Sequence, residues 1–209
     1  MEGIQTIRSR IERKKEEKKM ALINAAYELF VEKGVASTSI QNIVSRAGVA
    51  KGTFYLYFKS KEDIRNTIIS TKTRRLILEA IEDTHQHPEL TFEQSIIRVI
   101  DYILNVFASD PRLIEFINRD LSLSFYSQEL SRIFKEDMYF YDLFEKGLKT
   151  IHPDRTDTDL IFFMVVELVS SSAYFTIAEQ KPCDIETFKP YLYAEIIHIL
   201  DMSPRIKKP

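Results

Sequence analysis

Apolar residues recur along this chain at intervals of three and four, the spacing of helices that each bury one face, and no stretch alternates strongly enough to read as a strand. Leu22, Ile23, Ala26, Leu29 and Phe30 form the first such stripe, beginning near Ala21 and closed by Gly34. Ile40, Ile43, Val44 and Ala47 form a second, short one. Thr38 or Ser39 opens it by accepting a free backbone N–H, with Gln41 reaching back to complete a capping box. Gly48 supplies a left-handed residue that ends this helix, Val49 docks under the turn, and a third helix follows at once, about Lys51 to Phe58. Phe54 and Phe58, four apart, suit the core, which leaves Lys51, Thr53, Tyr55 and Tyr57 pointing out.

Ser60 starts a fourth helix that runs to about Thr84, with Asp63 as its capping partner. Beyond His85-Gln86-His87-Pro88 the pattern predicts helices near 91–107, 111–124, 127–150, 156–180 and 185–201, punctuated by Asp110-Pro111, Ser127, His152-Pro153 and Lys181-Pro182. The fold class is all-α. Five Gly and seven Pro are too few for a long flexible linker, and 44% hydrophobic residues in 209 suffice for a core.

Charge changes the picture more than composition does. The net charge of -2 hides a split: residues 1–75 hold 16 Lys+Arg against 8 Asp+Glu, whereas residues 76–209 hold 13 against 23. A basic N-terminal module beside an acidic remainder suits attraction to a phosphate backbone, with the acidic part facing away. The run from Arg8 to Lys19 mixes both signs and reads equally as a solvated helical extension or as a basic arm for a DNA groove. A face made of Lys51, Thr53, Tyr55 and Tyr57 can donate to phosphates and base edges and pack on sugars and thymine methyls. Lys61, at the start of the fourth helix where N–H groups point outward, adds a phosphate clamp.

From about Lys18 to Ile69 the sequence resembles the helix-turn-helix of the TetR family of bacterial transcriptional repressors. The most specific stretch is Ala47-Gly48-Val49-Ala50-Lys51-Gly52-Thr53-Phe54-Tyr55-Leu56-Tyr57-Phe58, followed by Lys61-Glu62. One departure is Ala50, where the family often has a Ser that caps the recognition helix. The resemblance implies base reading by Lys51, Gly52, Thr53 and Tyr55, assisted by Gln41, and backbone contacts from Thr38, Ser39, Leu56, Tyr57 and Lys61. It also implies a basic extension over 1–19, a DNA-binding domain over 20–75, and an effector-binding and dimerisation domain over 76–209. In the family the last two helices form a four-helix bundle across a two-fold axis. Here those helices look too apolar for one buried face, and Ser170-Ser171-Ser172-Ala173 would let partners approach closely.

The implied partners are a double-stranded DNA operator, a second copy of the chain and a small, lipophilic effector; no cofactor, metal or membrane is implied. Aromatic residues crowd the middle of the chain, and although such residues more often fill a core, Phe107, Phe116, Phe140, Phe163 and Tyr174 are candidates for a ligand pocket. Among the polar residues inside apolar runs, Asn118 and Glu167 are the candidates, and Glu167 would suit a cationic or hydrogen-bonding group unless it faces the dimer interface. No Gly-rich phosphate loop, nucleophile elbow or His-Glu-x-x-His pattern points to an enzyme, and His85-x-His87 sits in a predicted turn without obvious further metal ligands. The alternative is a helix-turn-helix regulator without an effector, controlled by a protein partner or by abundance. The single Cys183, the polar N-terminus and the lack of a run of roughly 18 uncharged apolar residues fit a cytoplasmic protein.

Overall fold

The computed structural model describes residues 2–118 and 139–202, with side chains over 10–117 and 140–202. Every regular element among them is helical: α1 (Glu2–Lys33), α2 (Ile40–Ala47), α3 (Lys51–Tyr55), α4 (Lys61–His85), α5 (Phe92–Ser109), α6 (Pro111–Asn118), α7 (Tyr139–Ile151), α8 (Thr158–Ala173) and α9 (Ile185–Asp201). The all-α class is thus as the periodicity predicts. The charged run before Ala21 does not form a separate element: it is the first half of α1, which is continuous from Glu2.

The chain divides into two compact units, Met1–Lys72 and Thr73–Pro209. In the first, α1 packs along α2, and the stripe expected on α1 is the one buried: Leu22 and Ala26 are inaccessible, and Ile23, Leu29 and Phe30 nearly so. Gly34 ends α1 with φ 81°, and Thr38, buried in the turn that follows, donates its hydroxyl to the Gly34 carbonyl at 2.8 Å and to the Leu29 carbonyl at 3.3 Å.

In the second unit α8 packs on α5, α7 and α9, and α6 packs against the single π turn, Tyr174–Ala178, that continues α8. The sequence predicts an uninterrupted helix to residue 180. The ladder instead widens where buried Thr176 donates its hydroxyl to the Ser172 carbonyl at 2.7 Å, a side-chain bond that competes with the backbone's own. α7 carries Gly147, where any Cβ would collide with the Phe92 ring of α5. Phe92 and Phe144 meet edge to face, 5.7 Å apart, and Phe144 meets Phe162 of α8 in the same way at 5.1 Å.

A polar cluster joins α5 to α9. The ammonium of Lys189, whose side chain is 9% exposed, donates to Asn105 at 2.6 Å and pairs with Asp101 at 3.0 Å and Glu186 at 2.8 Å. Tyr193 donates to Asp101 at 2.5 Å. Burial opposes the Asp101 charge, but the bonds from Tyr193 and Lys189 outweigh it and hold the carboxyl below its ordinary range. A further anchor is Arg155, which reaches the last turn of α9 by donating to the Leu200 carbonyl at 2.6 Å and to the Met202 carbonyl.

One stretch runs against the expectation that no segment is apolar enough for a membrane: Thr158–Ala178, mean hydropathy 1.9, has the length and composition to cross one. Its apolar character has two destinations within this fold. Ile161, Phe162, Val165 and Ala173 are buried inside the unit, whereas Leu160 (63% exposed) and Phe175 (52% exposed) face out. On α9, Tyr191 and Ile197 are likewise exposed. The small residues Ser170 to Ala173 do not share one face as a close-packing stripe would: Ala173 is inaccessible and Ser171 exposed.

Lys189→Ala should destabilise the chain by about 1–3 kcal/mol, because Asp101 and Asn105 lose their shared donor. The Asp101 contribution has a defined pH window. A carboxyl lowered in the folded state stabilises fully above its ordinary value of about 3.9 and ceases to as pH falls through the lowered one. Urea titrations at descending pH should therefore show a steeper acid loss for the native chain than for Asp101→Asn, and equal slopes would refute this assignment.

Candidate nucleic-acid interface and ligand cavity

The turn between α2 and α3 is built from local chemistry. Ser39 caps α2 by accepting the Asn42 N–H at 3.1 Å, while Asn42 accepts the Ser39 N–H at 3.1 Å. The capping box therefore closes through Asn42. Gln41, one residue short of the required position once Ser39 is the cap, instead donates to Ser45 at 3.3 Å on an exposed face. Gly48 ends α2 with φ 66°, in the left-handed region where a side chain is strained.

After the turn, α3 starts without a side-chain cap, as Ala50 dictates. Its regular part ends at Tyr55, earlier than the sequence predicts, but the Phe58 N–H still reaches the Phe54 carbonyl at 2.9 Å, so the chain stays coiled to Phe58. Phe54 is inaccessible, Phe58 nearly so, and their rings lie 5.7 Å apart. Lys51, Gly52, Tyr55 and Leu56 are exposed, the last at 78%; Thr53 and Tyr57 are half-buried. A Cβ added at Gly52 would meet nothing within 4 Å, so the protein's own packing does not demand a glycine there.

Two expected backbone contacts take different roles here. Thr38 is 2% exposed and its hydroxyl is spent on two carbonyls, so its side chain is not presented for a phosphate. Lys61 is half-buried and donates to the Thr38 carbonyl at 3.0 Å and the Ala36 carbonyl at 3.4 Å, tying α4 to the α1–α2 turn. The first turn of α4 also supplies its own acceptors: Ser60 accepts the Asp63 N–H at 3.2 Å, and Asp63 accepts the Lys59 N–H at 2.7 Å. The Glu62 carboxyl is held low, first by the backbone N–H at the helix start and then by the Ser60 hydroxyl. That helix end is an internally satisfied cap more than an open anion site. Ser39 remains exposed.

In the second unit a cavity of about 120 Å³ lies between α4, α5, α6, α7 and α8. Its walls include Leu76, Ile100, Phe107, Phe140, Phe162 and Val169, and among the described residues its lining contains no ionisable side chain. Phe107 and Phe140 line it. Phe116, Phe163, Glu167 and Tyr174 do not, and the Asn118 side chain lies outside the described residues, as do Arg119, Asp120, Phe125, Tyr126 and Phe134. The reason is helical register: α8 turns Phe162, Val165, Val166, Val169, Ser170 and Ala173 to the cavity, and Phe163 and Glu167 each stand one residue, about 100°, further round. One Glu167 carboxylate oxygen is nonetheless buried without a hydrogen-bond partner. Periodicity alone left the inward face of so apolar a helix undecided. Among the described residues no cluster of His, Cys, Asp and Glu is arranged to hold a metal.

Known proteins resemble this chain in sequence and in fold. Residues 22–68 match the family model described as bacterial regulatory proteins, tetR family. A fatty acid metabolism regulator protein of Bacillus subtilis (strain 168) is 35% identical over 101 residues, 48% of this chain and 51% of that protein, so the match spans about half of its length. The HTH-type regulator YhgD of the same organism is 23% identical over 184 residues, covering 87% of this chain and 95% of that one. Among solved structures, a transcriptional regulator FadR from Bacillus subtilis in complex with stearoyl-CoA superposes with a TM-score of 0.63 at 24% identity, covering 85% of this chain and 97% of the other; at that identity the likeness establishes the fold.

Ser39→Ala should cost about 1 kcal/mol of unfolding free energy by removing the α2 cap, and Gly48→Val at least as much through strain at φ 66°. Equilibrium unfolding of both variants checks this; an unchanged midpoint for Ser39→Ala would mean the box through Asn42 contributes nothing.

Proposed function

Since the chain belongs to the TetR family of bacterial regulatory proteins, we propose that it is a homodimeric, cytoplasmic repressor whose α3 reads a near-palindromic DNA operator and whose second unit releases it on binding a lipophilic effector. The observation that carries the reading is the α3 face: Lys51, Gly52 and Tyr55 exposed above a buried Phe54 and Phe58. A glycine that its own fold does not need is explained if a base or sugar must approach the helix backbone closely. Lys51 and Tyr55 then address base edges, Thr53 joins them from its half-buried position, and Gln41 assists from α2. Ser39, Leu56 and Tyr57 meet the DNA backbone, Leu56 through its amide or apolar contact; Lys61 contributes charge while holding the turn.

The cavity favours an effector over control by abundance alone. Its hydrocarbon walls suit an acyl or similar chain, in line with the stearoyl-CoA bound by the structural relative and the fatty acid role of the sequence relative. They do not support recognition of a cation by Glu167, which lies off the lining. Dimerisation is assigned to the outer faces of α8, the π turn that continues it and α9, where Leu160, Phe175, Tyr191 and Ile197 are exposed. An effector that prefers the non-binding arrangement of the dimer need supply only about 1–3 kcal/mol of coupling to weaken DNA binding 5- to 150-fold.

Footprinting on the DNA upstream of the protein's own gene should reveal an inverted repeat with half-sites about one helical turn, ~34 Å, apart or somewhat more. Lys51→Ala or Tyr55→Ala should cost about 1–3 kcal/mol and relax base preference, whereas Lys61→Ala should weaken every sequence alike. A protected site without an inverted repeat would overturn the dimeric reading, and a long-chain acyl thioester that fails to release the operator would overturn the effector class.

A further inference from the structure

Among the described residues, Thr73 and Ser170 are the polar members of the cavity lining. The Thr73 hydroxyl is buried and has no hydrogen-bond partner among the described residues. Its neighbours on α4 behave differently. Thr67 donates to the Asp63 carbonyl at 2.9 Å, Ser70 to the Thr67 carbonyl at 3.1 Å, and Thr84 to the Ala80 carbonyl at 2.9 Å. The equivalent back-bond is the ordinary resting place for a hydroxyl on a helix, and Thr73 does not make it. A buried hydroxyl left unpaired destabilises a fold. Water is a poor remedy, since it needs roughly two to four polar partners and the walls offer Ser170 besides.

We propose that Thr73 Oγ1 is the polar anchor for the effector, a largely hydrocarbon molecule carrying one uncharged hydrogen-bonding oxygen, such as a ketone, ester or thioester carbonyl, within its apolar length. The inference rests on the reading that this cavity holds the effector. Hydrocarbon walls supply affinity, and the hydroxyl supplies discrimination, because an analogue lacking the oxygen leaves Thr73 unpaired. A charged group in the cavity is disfavoured, since nothing in the lining contributed by the described residues pairs with it.

The test uses the full chain with 2-octanone and octane, each at the same fraction of aqueous saturation so that their tendency to leave water is matched, and reads melting temperature and half-saturation. The native chain should favour the ketone by about fivefold, the worth of one neutral hydrogen bond. Thr73→Val should melt higher than the native chain without ligand and lose the preference, while Thr73→Ser keeps it. Val169→Phe, or Ser170→Leu should the ring prevent folding, should abolish stabilisation by both molecules. A Thr73→Val chain that melts lower, or that still favours the ketone, overturns the anchor and leaves the cavity as the site. Undiminished binding to the cavity-filled variant, or no binding of either molecule to the native chain, overturns the cavity reading itself.

Discussion

Five residues cannot hold a helix in water, so the exposed face of α3 exists only because Phe54 and Phe58 are buried beneath it. Nucleating so short a helix costs more than its own hydrogen bonds return, and burial of two aromatic rings makes up the difference. The exposed face is thereby positioned from below. Lys51, Gly52 and Tyr55 take their directions from the two rings, and the rings take theirs from the turn at Gly48. The rest of the first unit serves that placement: Ser39 and Asn42 fix where α2 begins, Thr38 staples the preceding turn to the end of α1, and Lys61 ties the same turn to α4.

The first unit was legible in the sequence because its determinants are local. A cap, a left-handed glycine and a pair of aromatics four apart each act within a few residues, and each stands where its chemistry puts it. What the sequence does not show there is the partners: Asn42 and not Gln41 closes the capping box, and the Thr38 hydroxyl and the Lys61 ammonium also meet carbonyls of the protein itself. A sequence shows that a hydroxyl or ammonium is present, and the carbonyls that compete for it appear only once the turn has formed.

The second unit was less legible for a different reason. Helix positions follow from punctuation, and most fall within a few residues of where the pattern puts them. What the pattern does not contain is the rotation of α8 about its axis. With apolar residues on nearly every side, its inner and outer faces look alike, and the pattern does not tell Phe163 and Glu167 from Phe162 and Val166, which line the cavity. The cluster around Lys189 was invisible too, since Asn105 and Lys189 are 84 positions apart and neither carries a signal of its own. The widened turn at 174–178 likewise follows from one hydroxyl, that of Thr176, choosing a backbone acceptor.

The contact between Gly147 and Phe92 imposes an order on how this wall can change. Because the ring occupies the space a Cβ would need, position 147 cannot gain a side chain while position 92 keeps its aromatic ring. The reverse path is open: shrinking Phe92 first leaves a gap that a larger residue at 147 can fill. Descendants of this sequence can therefore trade bulk between α5 and α7 in one direction only, and in related chains a side chain at the first position should travel with a small residue at the second.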